Sequence, residues 1–291
     1  SVPPMRADAT CYRHPDRRAS VSCQRCNRPI CTECMIEAPV GFHCPEDAKA
    51  GQQKVITSHN LFRSAGRPIV TLTLMAVNLA VYVIGFGIEG GSERLRIDGG
   101  LLALGQKASG ELIGVDAGEW YRIVTAGFLH ASLLHLGFNM YLLYLLGQQL
   151  EPAMGRIRFG VTYFFSLLCG SLAVLLIDPL ALTVGASGAV FGLMGALAVL
   201  HYTRGVRLFD TGLGGLILIN LIFTFAIPGI SVGGHIGGLI GGALAGWLLI
   251  LLPLRSRALP SFLPTAAVLA LGVAVIGASM WAASQWMDPV F

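Results

Sequence analysis

The stretch that decides the fold reads GGHIGGLIGGALAGWLLILL and spans residues 233–252. It carries no Asp, Glu, Lys or Arg, and its length is about what an α-helix needs to cross a bilayer. Its glycines recur every fourth residue and form a smooth stripe: Gly234, Gly238, Gly242 and Gly246. Such stripes let membrane helices pack closely. His235 is the one ionisable group in this segment, and ionisable groups inside a membrane are costly and usually functional.

The rest of the chain has the same apolar character. Of its 291 residues, 54% are hydrophobic and 12% are charged, with a mean hydropathy of +0.67. Soluble domains carry about 25% charged residues, so the composition predicts an all-α polytopic membrane protein. The net charge of +4 is explained by basic residues that flank membrane helices rather than by nucleic-acid binding. The first apolar run starts near Ile69, too late for a secretory signal peptide.

Apolar runs predict seven helices, at Ile69–Phe86, Leu133–Leu150, Phe159–Ile177, Ser187–Leu200, Gly212–Ile227, His235–Leu252 and Pro264–Ala283. The fourth is short and follows an irregular stretch from Asp178 to Gly185. Irregular backbone at membrane depth is tolerated only beside protein or a water-filled cavity. Residues 178–187 are therefore a candidate functional segment.

Basic residues predict the orientation in a cell membrane. They precede the first helix and lie between helices two and three, four and five, and six and seven: Arg63, Arg67, Arg156, Arg158, Arg204, Arg207, Arg255 and Arg257. We therefore expect a cytoplasmic N-terminus, an external C-terminus, and the starts of the fourth and sixth helices toward the outer face.

Residues 1–59 hold six of the seven cysteines, in pairs with metal-ligand spacing. Disulfides are the alternative, but the expected cytoplasmic side is reducing. The order of the pairs resembles a B-box-type zinc finger, in which alternate pairs share a metal. That resemblance implies two structural zinc sites, Cys11, His14, Cys31 and Cys34 in one, and Cys23, Cys26, Cys44 and Asp47 in the other. His43 is an alternative ligand at the second site. A protein partner, or the membrane domain, is the expected contact of this module.

Several polar residues fall in or beside the apolar runs: His130, His135, Asn139, Ser187, Asn220 and His235. Each alone is explained by an interhelical hydrogen bond. Ser187, however, sits at a loop–helix junction with Gly188 and Gly192 behind it, and His235 heads the matching glycine stripe. Close packing of the two stripes predicts a serine hydroxyl beside an imidazole, as in a nucleophile–base pair.

The surrounding residues predict supporting roles. His135 and Asn139 share a helix face and are candidate oxyanion-hole donors with the Ser187 N–H. Phe191, one turn after Ser187, is predicted to pack against the imidazole, and His130 to face elsewhere and brace the loop. No Asp or Glu lies within the predicted helices, and Asp178 is the nearest carboxylate in sequence to Ser187. This favours a Ser–His dyad over a triad.

Four separated motifs resemble the rhomboid family of intramembrane proteases: the segment from Tyr121 to His130, His135-x3-Asn139, Gly185-Ala186-Ser187-Gly188, and the Gly-His235 segment. The resemblance implies a six-helix core over residues 69–255, after a linker at 60–68 and before a seventh helix within 256–291. It implies that Ser187 is the nucleophile and His235 the general base, with His135 and Asn139 as oxyanion partners. Phe191 stands where many members have Tyr, so stacking is its implied role.

The expected function is therefore hydrolysis of a peptide bond in a transmembrane protein substrate within the lipid bilayer, with no cofactor needed for the chemistry. Three alternatives stay open. One is a metalloprotein in which His130, His135 and His235 bind a metal, although the His-Glu-x-x-His pattern is absent. The second is a non-catalytic rhomboid-like escort protein. The third, a transporter, lacks an evident inverted repeat.

Overall fold

The computed structural model describes residues 8–51, 67–87, 91–256 and 259–286. The chain divides into two compact units, residues 1–64 and 65–291. Most of the predicted linker, and Arg63 and Arg257 of the orientation argument, lie outside the described residues.

The N-terminal unit contains two small antiparallel hairpins and a short helix. Its elements are β1 (Val21–Ser22), β2 (Pro29–Ile30), a 3-10 turn (Thr32–Cys34), β3 (Ile36–Glu37), β4 (Phe42–His43) and α1 (Pro45–Gly51). Val21 pairs with Ile30, and Ile36 pairs with His43. Its core consists of five of the cysteines and the fully buried Ile30, with a few half-buried apolar side chains around them. So small a core leaves the unit dependent on whatever its cysteines bind.

The second unit is helical, with one small hairpin near its start. Its elements are α2 (Ile69–Phe86), α3 (Gly91–Gly99), β5 (Gly105–Gln106), β6 (Leu112–Ile113), α4 (Arg122–Thr125), α5 (Leu133–Met154), α6 (Arg156–Ile177), α7 (Ser187–Thr203), α8 (Leu213–Ala226), α9 (Val232–Gly246), α10 (Leu252–Arg255) and α11 (Leu263–Ser284). The seven predicted apolar helices are all present, so the all-α membrane fold is confirmed.

Three of the described helices are long and apolar enough to cross a membrane by themselves: Arg156–Ile177, Val232–Arg255 and Leu263–Ser284. A fourth span results if Arg122–Phe128 and Leu133–Met154, bent by 93°, are taken together. The other apolar helices, in α2, α7 and α8, have 10–17 residues by the same criterion. Length and composition alone therefore support three or four spans within the described residues.

Helices α7 and α9 pack with their backbones in contact, as the two glycine stripes predict. A Cβ on Gly238 would lie 2.7 Å from the carbonyl carbon of Gly188, and a Cβ on Gly242 would overlap the carbonyl group of Gly192. A Cβ on Gly246 would lie 3.0 Å from the Cα of Ala196. Only glycine permits this approach, and it holds the starts of α7 and α9 together.

Helix α9 begins three residues before the predicted start at His235. Ser231 caps it, and its Oγ accepts a hydrogen bond from the Gly234 N–H at 3.1 Å. Glycine has a low helix propensity, so the sequence favoured a start after Gly233 and Gly234. Packing against α6 requires glycine here, since a Cβ on Gly233 would lie 2.7 Å from the Ala173 carbonyl oxygen. The helix then passes through a π-helical turn at Trp247–Leu251 and continues to Arg255. The Arg158 guanidinium donates to the Leu249 carbonyl of that turn at 3.1 Å.

Helix α5 extends to Met154, beyond the predicted end at Leu150, and so includes the buried Glu151. The expectation of carboxylate-free helices is therefore wrong. The Glu151 carboxylate accepts hydrogen bonds from the backbone N–H groups of Val70 and Thr71 at 2.9 and 2.8 Å, and from the Thr71 hydroxyl at 2.8 Å. Glu151, near the end of α5, therefore satisfies unpaired N–H donors at the start of α2, a helix far away in the sequence.

The segment between α2 and α5 folds around Arg122. This side chain is fully buried and donates to the carbonyl oxygens of Ile97 and Gly100 at 2.8 and 2.7 Å. It also pairs with Glu119 at 2.7 Å. Burial acts to raise the pKa of Glu119, but hydrogen bonds from Arg122 and the Gly114 N–H outweigh it and lower that pKa.

Candidate functional site

Ser187 is the first residue of α7, and the chain before it is tied down. The Gly185 N–H donates to the Ala126 carbonyl at 2.9 Å, and Thr183 exchanges backbone hydrogen bonds with Leu101 at 2.8 and 2.9 Å. Gly185 has φ +135°, which side-chain-bearing residues rarely adopt. The turn therefore presents the half-buried Ser187 hydroxyl at a helix N-terminus, where backbone N–H groups are unpaired.

The His135 imidazole lies directly against this turn. A Cβ on Gly185 would lie 2.8 Å from His135 Nε2 and 3.6 Å from Ser187 Oγ. His135 is in the first turn of α5, where its backbone N–H donates to the Ser132 side chain at 3.1 Å. Asn139 follows one turn later and is buried; its Nδ2 donates to the His135 carbonyl at 3.0 Å. One further amide hydrogen remains on that nitrogen.

His130 does not face away from His135. The two rings meet edge to face with centroids 5.0 Å apart, and His130 is buried. Helical spacing places residues five apart on different faces, but His130 precedes α5 in non-helical backbone, so that spacing does not apply. The expectation for its direction is wrong.

His235 lies in the first turn of α9, with 9% of its surface exposed. The Phe191 ring stacks on it, with centroids 4.0 Å apart and planes at 16°. The residues next to Ser187 and His235 are in contact, since a Cβ on Gly188 would lie 3.1 Å from the Gly234 carbonyl oxygen. This contact brings Ser187 and His235 near each other. Ser187 and His235 share no hydrogen bond in the described residues. Such bonds are often long without substrate.

Thr224 of α8 is the residue that sequence analysis missed. It is 2% exposed, and its Oγ1 lies 2.7 Å from His235 Nδ1. The sequence signal was a lone threonine in an apolar helix, which more often bonds only to its own helix. Asp178, the candidate third member, is exposed at the end of α6. Within the described ranges, no carboxylate bonds to His235.

A small cavity of about 30 Å³ adjoins Ser187. Its polar lining includes Ser171, Thr183 and Ser231, together with Gly185. It has room for about one water molecule, with polar partners for it.

The N-terminal unit brings together the first predicted ligand set: Cys11, His14, Cys31 and Cys34. The His14 Nδ1 lies 3.4 Å from the Sγ atoms of Cys31 and Cys34, and 3.9 Å from that of Cys11. Tetrahedral zinc with ordinary bond lengths needs about 3.5 Å between nitrogen and sulfur ligands. Burial acts to raise the pKa of Cys11, but backbone N–H groups of Arg13, Cys31 and His14 lower it to about 6. This favours the metal-binding thiolate at Cys11, whereas burial raises the pKa of Cys34 in the same cluster to about 11.

The second predicted set, Cys23, Cys26, Cys44 and Asp47, also converges. Asp47 Oδ2 lies 3.2 Å from the Sγ atoms of Cys23 and Cys44, and the Sγ atoms of Cys26 and Cys44 are 3.7 Å apart. Hydrogen bonds from the Cys26, Cys23 and Cys44 thiols lower the pKa of Asp47 to about 2. His43 is not among the four converging donors. Both clusters therefore fit a tetrahedral metal ion of the zinc type.

The histidines of the membrane unit do not form a third metal-type cluster within the described part of the chain, where only the two N-terminal groups have converging donors. This geometry removes the support for a site built from His130, His135 and His235.

Comparison with known proteins agrees with this arrangement. A family model described as "Rhomboid domain" matches residues 117–252. The chain is 34% identical over 174 residues to "Rhomboid protease GluP" of Bacillus subtilis. The aligned region covers 59% of this chain and 33% of that protein. It is 37% identical over 157 residues to "RHOMBOID-like protein 5" of Arabidopsis thaliana, covering 52% and 50%. It is 41% identical over 88 residues to "Putative rhomboid protease YdcA" of Bacillus subtilis, covering 30% and 44%.

The chain thus spans between one third and one half of these relatives' lengths. The match at 117–252 includes Ser187 and His235 and the side chains around them, His130, His135, Asn139, Phe191 and Thr224. Residues 117–252 of the helical unit therefore match the rhomboid domain, and over this part the chain is similar to rhomboid proteins.

Proposed function

We propose that this protein is an intramembrane serine endopeptidase that uses Ser187 as nucleophile and His235 as general base. The observation that carries the proposal is the convergence of three groups in a rhomboid domain. The Ser187 hydroxyl lies at a helix N-terminus, His135 lies against the same turn, and close packing of α7 and α9 brings His235 beside it.

In this mechanism the Ser187 Oγ attacks the carbonyl carbon of the scissile peptide bond. His235 accepts the hydroxyl proton and passes it to the leaving amine nitrogen as the C–N bond breaks. Phe191 stacks on the imidazole at 4.0 Å, so the ring needs little reorganisation when the substrate arrives.

Negative charge on the carbonyl oxygen is stabilised from two sides. The Ser187 backbone N–H belongs to the first turn of α7, where such groups have no helical partner. His135 lies against Gly185, and Asn139 follows it one turn later on the same face of α5. Donors fixed before the reaction are worth most in a water-poor site. The acyl-enzyme is then hydrolysed by a water molecule, which the polar cavity beside Ser187 can hold.

A dyad fits better than a triad. Glu151 is committed to the N-terminus of α2, and Asp178 is exposed. The imidazole is held instead by Phe191 and by a neutral hydroxyl, that of Thr224.

We further propose that the substrates are transmembrane segments of other proteins, reached from the lipid bilayer, with the site opening toward the outer face. The basic residues of the described helices support this orientation. Arg156, Arg158, Arg204 and Arg255 lie at helix ends opposite to the Ser187 end. The loop between α8 and α9, with Gly229 at φ +82°, is proposed as a lid over the dyad.

The two N-terminal clusters are proposed to hold two structural zinc ions, which supply folding free energy and no catalytic step. The folded zinc module is proposed to bind a protein partner. A chain beginning near Phe62 should therefore keep its proteolytic activity.

The test is labelling of the purified protein with a serine-directed fluorophosphonate, alongside cleavage of a transmembrane reporter. We expect both in the parent and neither in Ser187→Ala, because the attacking oxygen is removed. Ser279→Ala is the matched control: Ser279 is a buried helical serine of α11 that bonds to the Val275 carbonyl at 2.8 Å. Equal turnover by Ser187→Ala would refute the assignment. A folded parent that binds the reporter without label or cleavage would indicate an escort protein.

A further inference from the structure

Two contacts of Thr224 determine what its hydroxyl can do. Its Oγ1 donates to the Asn220 carbonyl oxygen, one turn earlier in α8, at 2.7 Å. The same Oγ1 lies 2.7 Å from His235 Nδ1. A hydroxyl has one hydrogen and two acceptor lone pairs. Because that hydrogen is used for Asn220, the contact with Nδ1 requires the hydrogen to be on the imidazole.

We infer that Thr224 is a positioning residue that holds His235 in the Nδ1–H tautomer, leaving the Nε2 lone pair for the Ser187 proton. The inference deepens the proposed function and rests on it for its catalytic meaning. The ring nitrogen that carries the proton in a neutral histidine is set by the partner of the other nitrogen. In triad proteases a carboxylate has this task; here a neutral hydroxyl occupies the corresponding place.

Stacking by Phe191 cannot replace this hydrogen bond. A parallel ring at 4.0 Å fixes the plane of the imidazole. Stacking does not distinguish this ring from one rotated by 180° about the Cβ–Cγ bond. That rotation exchanges the positions of the ring nitrogens and carbons. Only an edge contact selects one of the two, and the Thr224 hydroxyl is the hydrogen-bonding side chain found at Nδ1 in the described residues.

Burial makes the contact effective. Thr224 is 2% and His235 is 9% exposed, so water does not readily substitute for the hydroxyl. Thr224 is also one of only three buried residues of α8, with Leu213 and Gly214 at the other end of that helix. The hydrogen bond therefore joins a largely uncovered helix to the catalytic region.

The experiment compares Thr224→Val, which keeps the shape and removes the hydroxyl, with Thr224→Ser, which keeps the hydroxyl. Thr211→Val is the matched control, because Thr211 Oγ1 also contacts a histidine, His201 Nδ1 at 3.3 Å, and a carbonyl of its own turn. Reporter cleavage gives kcat and KM, and nitrogen NMR of ¹⁵N-histidine-labelled protein at alkaline pH identifies the tautomer. The His235 signals are assigned by their loss in His235→Gln.

We expect an unprotonated Nε2 in the parent and a mixture of tautomers in Thr224→Val. In that variant kcat should fall about tenfold to a hundredfold, by analogy with the loss of a hydrogen-bond partner that orients a metal-bound histidine, with little change in KM. Thr224→Ser should recover most of the rate, and Thr211→Val should match the parent in both readouts.

Parent-like kcat in folded Thr224→Val, or a protonated Nε2 in the parent, would overturn the inference. If the parent cleaves nothing, the proposed function fails, while the tautomer of His235 still decides the assignment of Thr224. If Thr224→Val does not fold, the parent spectrum and the kinetics of Thr224→Ser decide it.

Discussion

Replacing Gly238 with alanine should separate α7 from α9 and displace Gly188, the residue next to Ser187. The added Cβ would lie 2.7 Å from the carbonyl carbon and 2.9 Å from the Cα of Gly188, and would overlap the carbonyl oxygen. Carbon atoms pack best at about 3.5–4.0 Å, so the two backbones must separate by about 1 Å. Because the obstacle is backbone, no rotamer change relieves it.

Overpacking a tight core costs about 1–3 kcal/mol, and we expect Gly238→Ala at about 3 kcal/mol. Gly277→Ala in α11 is the matched control. Gly277 is also helical, but nothing lies within 4 Å of a Cβ placed there. That change should stabilise by about 0.5–1 kcal/mol through helix propensity.

Thermal unfolding in a fixed detergent, with reporter cleavage well below the transition, measures both effects. Gly238→Ala should melt lower and also lose turnover, because Gly188 adjoins Ser187. Equal melting of Gly238→Ala and Gly277→Ala would refute the backbone-contact argument. A lower melting temperature with normal turnover would show that the α7–α9 spacing does not position the site.

Further changes test the other parts of the site and the module. His135→Ala and Asn139→Ala should each lower kcat about a hundredfold or more with a smaller change in KM, because an oxyanion donor acts in the transition state; loss of stability with normal turnover would contradict this. Glu151→Gln should destabilise by about 1.5–3 kcal/mol, the worth of a hydrogen bond to a charged group, without changing kcat of the folded protein. Asp47→Ala should reduce bound zinc from two ions to one after mild chelation, measured by metal analysis, whereas His43→Ala should keep both; the reverse result would exchange their roles.

The sequence by itself determined the helical elements and the residue types available for chemistry. Apolar runs are local, so the seven helices could be predicted to within a few residues at most ends. The four-residue spacing of Gly234, Gly238 and Gly242 likewise predicted a close helix contact, because a stripe on one helix has meaning only against a partner. The paired cysteines predicted metal clusters for the same local reason.

The tertiary structure decided which atoms of distant segments meet. Glu151 finds its donors at Val70 and Thr71, eighty residues away, and His130 meets His135 only because the chain before α5 is not helical. Thr224 looks like an ordinary helical threonine until α8 and α9 pack and place His235 Nδ1 at 2.7 Å. Periodicity reports which face of a helix is buried. It contains no information on which atom of another helix that face will meet, since that depends on the crossing of the two helices.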